Sequence, residues 1–477
     1  MNRRFALGLV GCLGALSAAC GSGSAGPAGP AGPQGPAGTG SGGTGTASVS
    51  GVEPSTAYLA RTAHVTVSGY GTAWTDKTTI DFGMGITVSN VHAASPTALV
   101  ADIAIDKAAA MGPRDVVVND TPANETYKQA FTVSAPAALT LQGSLAQGSI
   151  AIANIQLQDQ STPFDTTSQS DPFGDVTYTN LAVTTPAGVT AQIESATTTS
   201  IQVLLTVDVD ATAAAADFDL LSGPAADPTD ADFPVPGGLT VTAQKATALT
   251  ATPAMGNINA AYGSVLYSYT PGAALSIVDI SASSNVTNAS PGFVLLPSTG
   301  HFSDSLGFFQ PTTSAAATTT VLPTGTTPYY IIYWDNSGTT GAYTVGATAT
   351  APASTLATTA TDDTQAGALV ATALPFVLTG GTLTTASSID WVQITTGSGD
   401  AGKVIHVQTT GDPLTDVAVN ILDSDGATSI GGDDEGAPID TTSSPIAAST
   451  TYYVTFAAGT LDFDPADGSY DAIIRIE

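Results

Sequence analysis

Short runs of β-branched and aromatic residues, each closed by Gly, Pro, Asn or Asp, recur along this 477-residue chain from about residue 48 to its end. Val65-Thr-Val-Ser, Ile86-Thr-Val, Val116-Val-Val, Phe131-Thr-Val, Ile201-Gln-Val-Leu-Leu-Thr-Val, Tyr329-Tyr-Ile-Ile-Tyr, Val404-Ile-His-Val and Tyr452-Tyr-Val-Thr-Phe are examples. Many alternate with period two, the side-chain period of a half-buried strand. Helix signals are few. The best is alanine-rich Ala211 to Leu221, with Asp210 placed to cap it and Gly223 to stop it, and a helix is expected there. The fold class is therefore all-β. Residues 48–477 are too many for one sandwich and suit four in tandem. Proline and polarity place them at 48–134, 135–247, 248–350 and 351–477.

The N-terminus has a different texture. Arg3 and Arg4 precede an apolar run from Phe5 to Leu16, then Ser17-Ala18-Ala19 and Cys20. The run is too short to span a bilayer and fits a secretory signal over residues 1–19. Leu16-Ser-Ala-Ala-Cys20 resembles a bacterial lipobox, with Ser17 at the position that usually carries leucine. The resemblance implies lipid on Cys20, hence a membrane partner. Ordinary cleavage after Ala19 also fits the small residues Ser17 and Ala19. Gly21 follows the cysteine instead of the aspartate that resembles an inner-membrane retention signal, so an outer-membrane lipoprotein of the cell envelope is expected.

Residues 20–47 read as anchor and tether. Gly26, Gly29, Gly32, Gly35 and Gly38 keep a three-residue period that resembles collagen. The triplets are too few to hold a triple helix unaided, so a semi-extended spacer is expected. Its full reach is on the order of 80 Å at about 3.1 Å per residue.

Composition removes several function classes. Cys12 and Cys20 are the only cysteines, so the body has no disulfide, zinc-thiolate site or cysteine nucleophile. The chain carries 10 Lys and Arg against 40 Asp and Glu. That surface repels nucleic acid and anionic headgroups. His64, His92, His301 and His406 are scattered, and no nucleophile elbow, zinc-protease motif or phosphate-binding loop occurs. No enzyme activity is expected.

Two stretches resemble known families. Gly51-Val-Glu-Pro, Val65-Thr-Val-Ser-Gly-Tyr-Gly, Thr79-Ile-Asp-Phe-Gly-Met-Gly-Ile-Thr-Val and Met111-Gly-Pro-Arg-Asp-Val-Val-Val resemble an immunoglobulin-like IPT/TIG domain across 48–134. Ser388-Ile-Asp-Trp-Val-Gln-Ile, Asp416-Val-Ala-Val-Asn-Ile-Leu-Asp-Ser-Asp-Gly and Thr450-Thr-Tyr-Tyr-Val-Thr-Phe resemble the bacterial pre-peptidase C-terminal domain across 361–477. Residues 249–350 share only its tyrosine strands. The resemblance implies a small β-sandwich module that accompanies secreted proteases, and not an activity.

One cluster suggests cation chemistry. Asp423 and Asp425 sit two residues apart, and Asp433 and Asp434 follow on the next turn. Carboxylates on short loops can wrap calcium, which takes six to eight oxygens. The same Asp-Ser-Asp-Gly also spells a β-turn with a solvated acidic loop. Trp74, on a loop after Gly71, is expected to be exposed, and Trp391 is expected in the core. These readings favour a non-enzymatic, lipid-anchored envelope protein that displays β-sandwich modules for adhesion, scaffolding or binding of a protein or glycan. The alternative is an accessory module for a secreted hydrolase or a polysaccharide binder.

Overall fold

The computed structural model describes residues 46–120, 123–170, 176–223, 231–272, 274–309, 315–322, 325–359, 361–383, 385, 387–411, 417–433, 439–458 and 469–477. The signal segment, Cys20 and the glycine-rich tether lie outside the described residues.

Tandem β-sandwiches make up the described chain, and its sheets fall into successive pairs. In the first module Ser48–Glu53, Thr62–Tyr70, Ala98–Ile105 and Ile86–Ser95 form one sheet. Thr56–Tyr58, Ala123–Ser134, Gly112–Asp120 and Thr79–Asp81 form its partner. The second module pairs Val189–Ala196, Ser200–Val207, Ser149–Leu157 and Ala137–Gln142 with a sheet of Leu181–Thr184, Ala215–Ser222 and Ala231–Thr240. The third and fourth modules each set two antiparallel sheets face to face. Short strands added in parallel lie at edges of three of those sheets.

Period-two patterning explains each core. Val65 and Val67, then Leu99, Ala101, Ile103 and Ile105, point inward on neighbouring strands and pack on Phe82 and Phe131. Those two rings meet edge to face at 5.0 Å. The same alternation builds separate cores around Phe218 and Phe233, around Phe293 and Tyr333, and around Phe376 and Phe456.

The helix expected from Ala211 to Leu221 does not form. Ala215–Ser222 is a strand between Leu181–Thr184 and Ala231–Thr240. Phe218, Leu220 and Ser222 alternate into the core, and that period of two outweighs the helix propensity of the alanines. Among the described residues the only helical turns are 3-10 segments, Phe302–Asp304 and Gln365–Gly367.

Both tryptophan expectations are corrected. Trp74 is buried in the first core, and its indole N–H donates to the buried Glu125 at 3.2 Å. Gly69 makes room for it, because a Cβ there would stand 2.6 Å from the indole ring. Trp391 is half-buried and lies on the outer face of Ile389–Thr395. The inward face of that strand belongs to Asp390, Val392 and Ile394.

Candidate functional site

Two features stand out above the packing: sealed joints between modules and a buried carboxylate pocket in the last one.

At the joint between the second and third modules, strands are buried on both faces. Along Ser149–Leu157, Ala151, Ala153 and Ile155 enter their own core, while Ile150 and Ile152 face the third module. Across the joint, Phe293 and Leu295 point inward, whereas Val294 and Leu296 face the second module. Ile331 and Tyr333 divide from Ile332 and Trp334 in the same way. Glycines bring the two modules close. Gly148 has φ +64° and leaves no space for a Cβ beside Leu266, and Gly300 has φ +74° against Val209. Polar bonds finish the seal: Ile150 N–H donates to Ser264 Oγ at 3.1 Å, and Val209 N–H to the Gly300 carbonyl at 3.0 Å.

The joint between the third and fourth modules is smaller but also apolar. Ile277 and Val321 pack on Val377 and Ile473. Arg475 beside them donates to Asp279 at 3.1 Å.

The carboxylate pocket draws on Asp362, Asp363 and Asp390, each offering an oxygen within 4.8 Å of the others. Asp362 is fully buried and Asp390 nearly so. The Thr359 amide donates to Asp362 Oδ2 at 3.0 Å, while Asp362 Oδ1 is buried without a partner. Tyr470 donates its phenol to Asp390 Oδ2 at 2.5 Å. Burial pushes the Asp390 carboxyl up to about 6; Tyr470 works against this, and neighbouring Asp362 and Asp363 add to it. Three carboxylates with an unpartnered buried oxygen fit a hard divalent cation, which would supply the charge that the pocket lacks. Asp362 and Asp390 would be the inner ligands and Asp363 the outer one.

The third module shows what removes this chemistry. Tyr333 and Phe456 hold matching places in their sheets, and each stacks on a core tyrosine, Tyr343 and Tyr470 respectively. Val265 stands opposite Tyr333 where Asp390 stands opposite Phe456. Without a carboxylate to meet, Tyr343 bonds the Tyr267 hydroxyl at 2.8 Å instead.

The acidic residues singled out from sequence are placed otherwise. Asp425 turns its carboxylate onto its own loop, accepting from the Thr428 amide at 2.8 Å, the Thr428 hydroxyl at 2.7 Å and the Ala427 amide at 2.9 Å. These donors, the Thr428 amide foremost, hold it down to about 2. Asp423 accepts from the Ser424 amide, and Asp433 ends the strand Ser429–Asp433. Asp423, Asp425 and Asp433 do not meet as a ligand group among the described residues, and Asp434 lies outside them. Sequence reading missed Asp362 and Asp363. Their signal was a doubled aspartate ahead of the Asp390-Trp strand, with Gly367 at a turn where a Cβ would meet the Thr361 carbonyl at 1.8 Å.

A second ligand-distance group, Asp208, Asp210 and His301, flanks the joint between the second and third modules. His301 Nε2 lies 3.3 Å from Asp210, and the hydrogen bond raises the imidazole above its ordinary value. His64 is exposed and paired with Asp102 at 2.8 Å, while His406 is largely buried between Asp440 and Glu477.

No family model matches the chain, and no curated protein does. Solved structures that resemble it include the pre-peptidase C-terminal domain of a Bacillus anthracis collagenase, at 14% identity and TM-score 0.19 over 22% of this chain and 96% of that one. A titin I9–I11 tandem matches at 8% identity and TM-score 0.18, over 64% of this chain and 97% of that one. A Bacteroides ovatus protein from a mixed-linkage glucan utilization locus, solved with a mixed-linkage heptasaccharide, matches at 11% identity and TM-score 0.13, over 61% of this chain and 73% of that one. Likeness at this level assigns no activity. No helix among the described residues is long and apolar enough to cross a membrane.

Proposed function

We propose that the chain is a non-enzymatic, lipid-anchored cell-envelope protein whose β-sandwich modules form a stiffened array presenting a binding surface to a protein or glycan. The observation that carries this reading is the joint of Ile150, Ile152 and Leu204 against Leu266, Val294, Leu296, Ile332 and Trp334. Module interfaces within a chain are commonly polar and permit relative motion. Strands buried on both faces instead transmit orientation, which serves display and hinders free flexing. An anchor at Cys20 would leave residues 351–477 the farthest along the chain from the lipid. Calcium in the Asp362, Asp363 and Asp390 pocket would hold that terminal module in one conformation. The outer-membrane location rests on the lipobox resemblance and Gly21.

The test combines localisation and binding. Protein from cells is fractionated with and without Cys20→Ala, and the purified body is applied to a glycan array in calcium and in chelator. Retention that depends on Cys20, with saturable binding lost in chelator, supports the reading. Release of wild-type protein as a soluble species, or turnover of peptide or glycoside substrates by the purified body, overturns it.

A further inference from the structure

Asp208-Val209-Asp210 follows the strand Ser200–Val207 of the second module, and His301 precedes the 3-10 turn Phe302–Asp304 of the third. Two hydrogen bonds interleave these segments across the joint. The Val209 amide donates to the Gly300 carbonyl at 3.0 Å, and the Phe302 amide to Asp208 Oδ1 at 2.9 Å. They bring Asp208, Asp210 and His301 together, each offering a ligand atom within 4.8 Å of the others.

His301 is set differently from the other histidines. His64, His92 and His406 each close on a carboxylate, at 2.8, 2.9 and 2.5 Å. Those are contacts of charge-assisted hydrogen bonds. His301 Nε2 stands off from Asp210 Oδ2 at 3.3 Å, and its Nδ1 from Asp304 Oδ2 at 3.6 Å. Two ligands of one tetrahedral ion, bonded at about 2.0–2.2 Å, stand about 3.4 Å apart. His301 and Asp210 already hold that spacing.

We propose that Asp208, Asp210 and His301 form a site for a divalent metal of the zinc class, which staples the second module to the third and keeps a fourth position for water.

Donor chemistry selects the ion. An imidazole nitrogen suits zinc and its borderline neighbours, whereas calcium takes oxygens. The site differs in this from the all-carboxylate pocket of the last module. Asp208, Asp210 and Asp304 face one imidazole, and among the described residues no Lys or Arg pairs with them. A divalent cation offsets that excess of negative charge. Burial raises the Asp208 carboxyl above its ordinary value, so its charge is short of solvation that a metal would replace. Asp304 is itself held by the Thr299 hydroxyl at 2.8 Å and the Ser303 hydroxyl at 2.9 Å. On the Nδ1 side of the ring it favours a proton there, which leaves the Nε2 lone pair for the metal. The side chains of His301 and Asp210 are 40% and 68% exposed, so ion and water can enter. Ligands come from both modules, so binding requires the formed joint and in turn favours it. The staple acts on the joint alone, whatever the array binds.

Calorimetric titration with zinc tests the site in the full chain, carrying Cys12→Ser and Cys20→Ser and stripped by chelator. Calcium in about hundredfold excess fills an all-oxygen pocket and should leave this site open. One equivalent of zinc bound near neutral pH is then expected. His301→Ala should abolish the binding, and Asp304→Asn should weaken it about 10–100-fold without abolishing it. Binding should fade at pH 5, where the imidazole takes a proton. Zinc should raise the midpoint of the shared transition of the second and third modules in the parent chain and not in His301→Ala. Asp390→Asn should change none of this, and circular dichroism confirms that each variant is folded. Zinc binding that survives His301→Ala is adventitious and overturns the proposal. So does zinc displaced by calcium, the absence of an equivalent bound, or bound zinc that leaves the joint's transition where it was.

Discussion

Tyr470 and Asp390 join the two sheets of the last module through one hydrogen bond of 2.5 Å inside its core. The Tyr470 ring is admitted by Gly381, where a Cβ would stand 2.4 Å from it. Phe456 stacks on its face at 5.1 Å. Asp390 is thus built into the packing, while Asp362 and Asp363 reach it from the segment between Ser354–Ala357 and Leu369–Ala371.

Tyr470→Phe should destabilise this module by about 1–3 kcal/mol, the cost of leaving a buried acceptor without its donor. Urea unfolding of the chain, followed by a probe in residues 351–477, measures it. Gly381→Ala should be comparably harmful through overpacking, by about 1–3 kcal/mol. Unchanged midpoints in both would show that the ring and the carboxylate do not depend on each other.

The pocket should make the module's stability depend on pH with a definite sign. Asp390 is raised to about 6 when folded, so its contribution is fully present near pH 4 and is lost as pH rises through about 6. Chelated protein should therefore melt lower at pH 8 than at pH 5. Calcium should remove much of that loss at pH 8, adding about 2.7 kcal/mol at one hundred times its dissociation constant. Asp390→Asn should abolish the calcium effect, while Asp425→Asn, which alters only a turn, should leave it intact. Melting curves in calcium that superimpose on those in chelator would exclude the cation.

Gly148→Ala tests the close approach at the second joint. The residue has positive φ, and its Cβ would meet Leu266 at 2.8 Å. A loss of about 1–3 kcal/mol is expected in the shared transition of the second and third modules. Gly237→Ala is the control, since Gly237 also has positive φ but faces open space. Equal losses would trace the effect to backbone strain alone.

Replacing Cys20 by Ala should move the protein from the membrane fraction to the soluble one. Mass spectrometry of the mature N-terminus should show a lipid-modified cysteine in the parent chain. An unmodified N-terminus at residue 20 would replace anchoring by plain secretion.

Much of the fold was legible because strands advertise themselves by period. Val65-Thr-Val and Phe131-Thr-Val place one face in a core, and their strands do the same. The joints were harder to see. Ser149-Ile-Ala-Ile-Ala and Tyr329-Tyr-Ile-Ile-Tyr-Trp are apolar on both faces, the pattern of a strand covered on both sides. Read as ordinary strands, they hide the neighbour that covers the second face. Ala211 to Leu221 misled because alanine carries a helix signal, while Phe218 and Leu220 carried the deciding one. The acidic loop at Asp423 misled because spacing alone does not separate a ligand from a turn cap. Asp362 and Asp390 are far apart in sequence, and the Trp391 amide, donating to the Asp362 carbonyl at 2.8 Å, brings their chemistry to one place.

Scanning calorimetry of the full chain and of Ile152→Asp tests the central claim most directly. Ile152 points away from its own core and into the third module, so the substitution breaks the joint and spares the sandwich. The account predicts one shared transition for the second and third modules, which Ile152→Asp separates into two. Two independent transitions already present in the parent chain would contradict it.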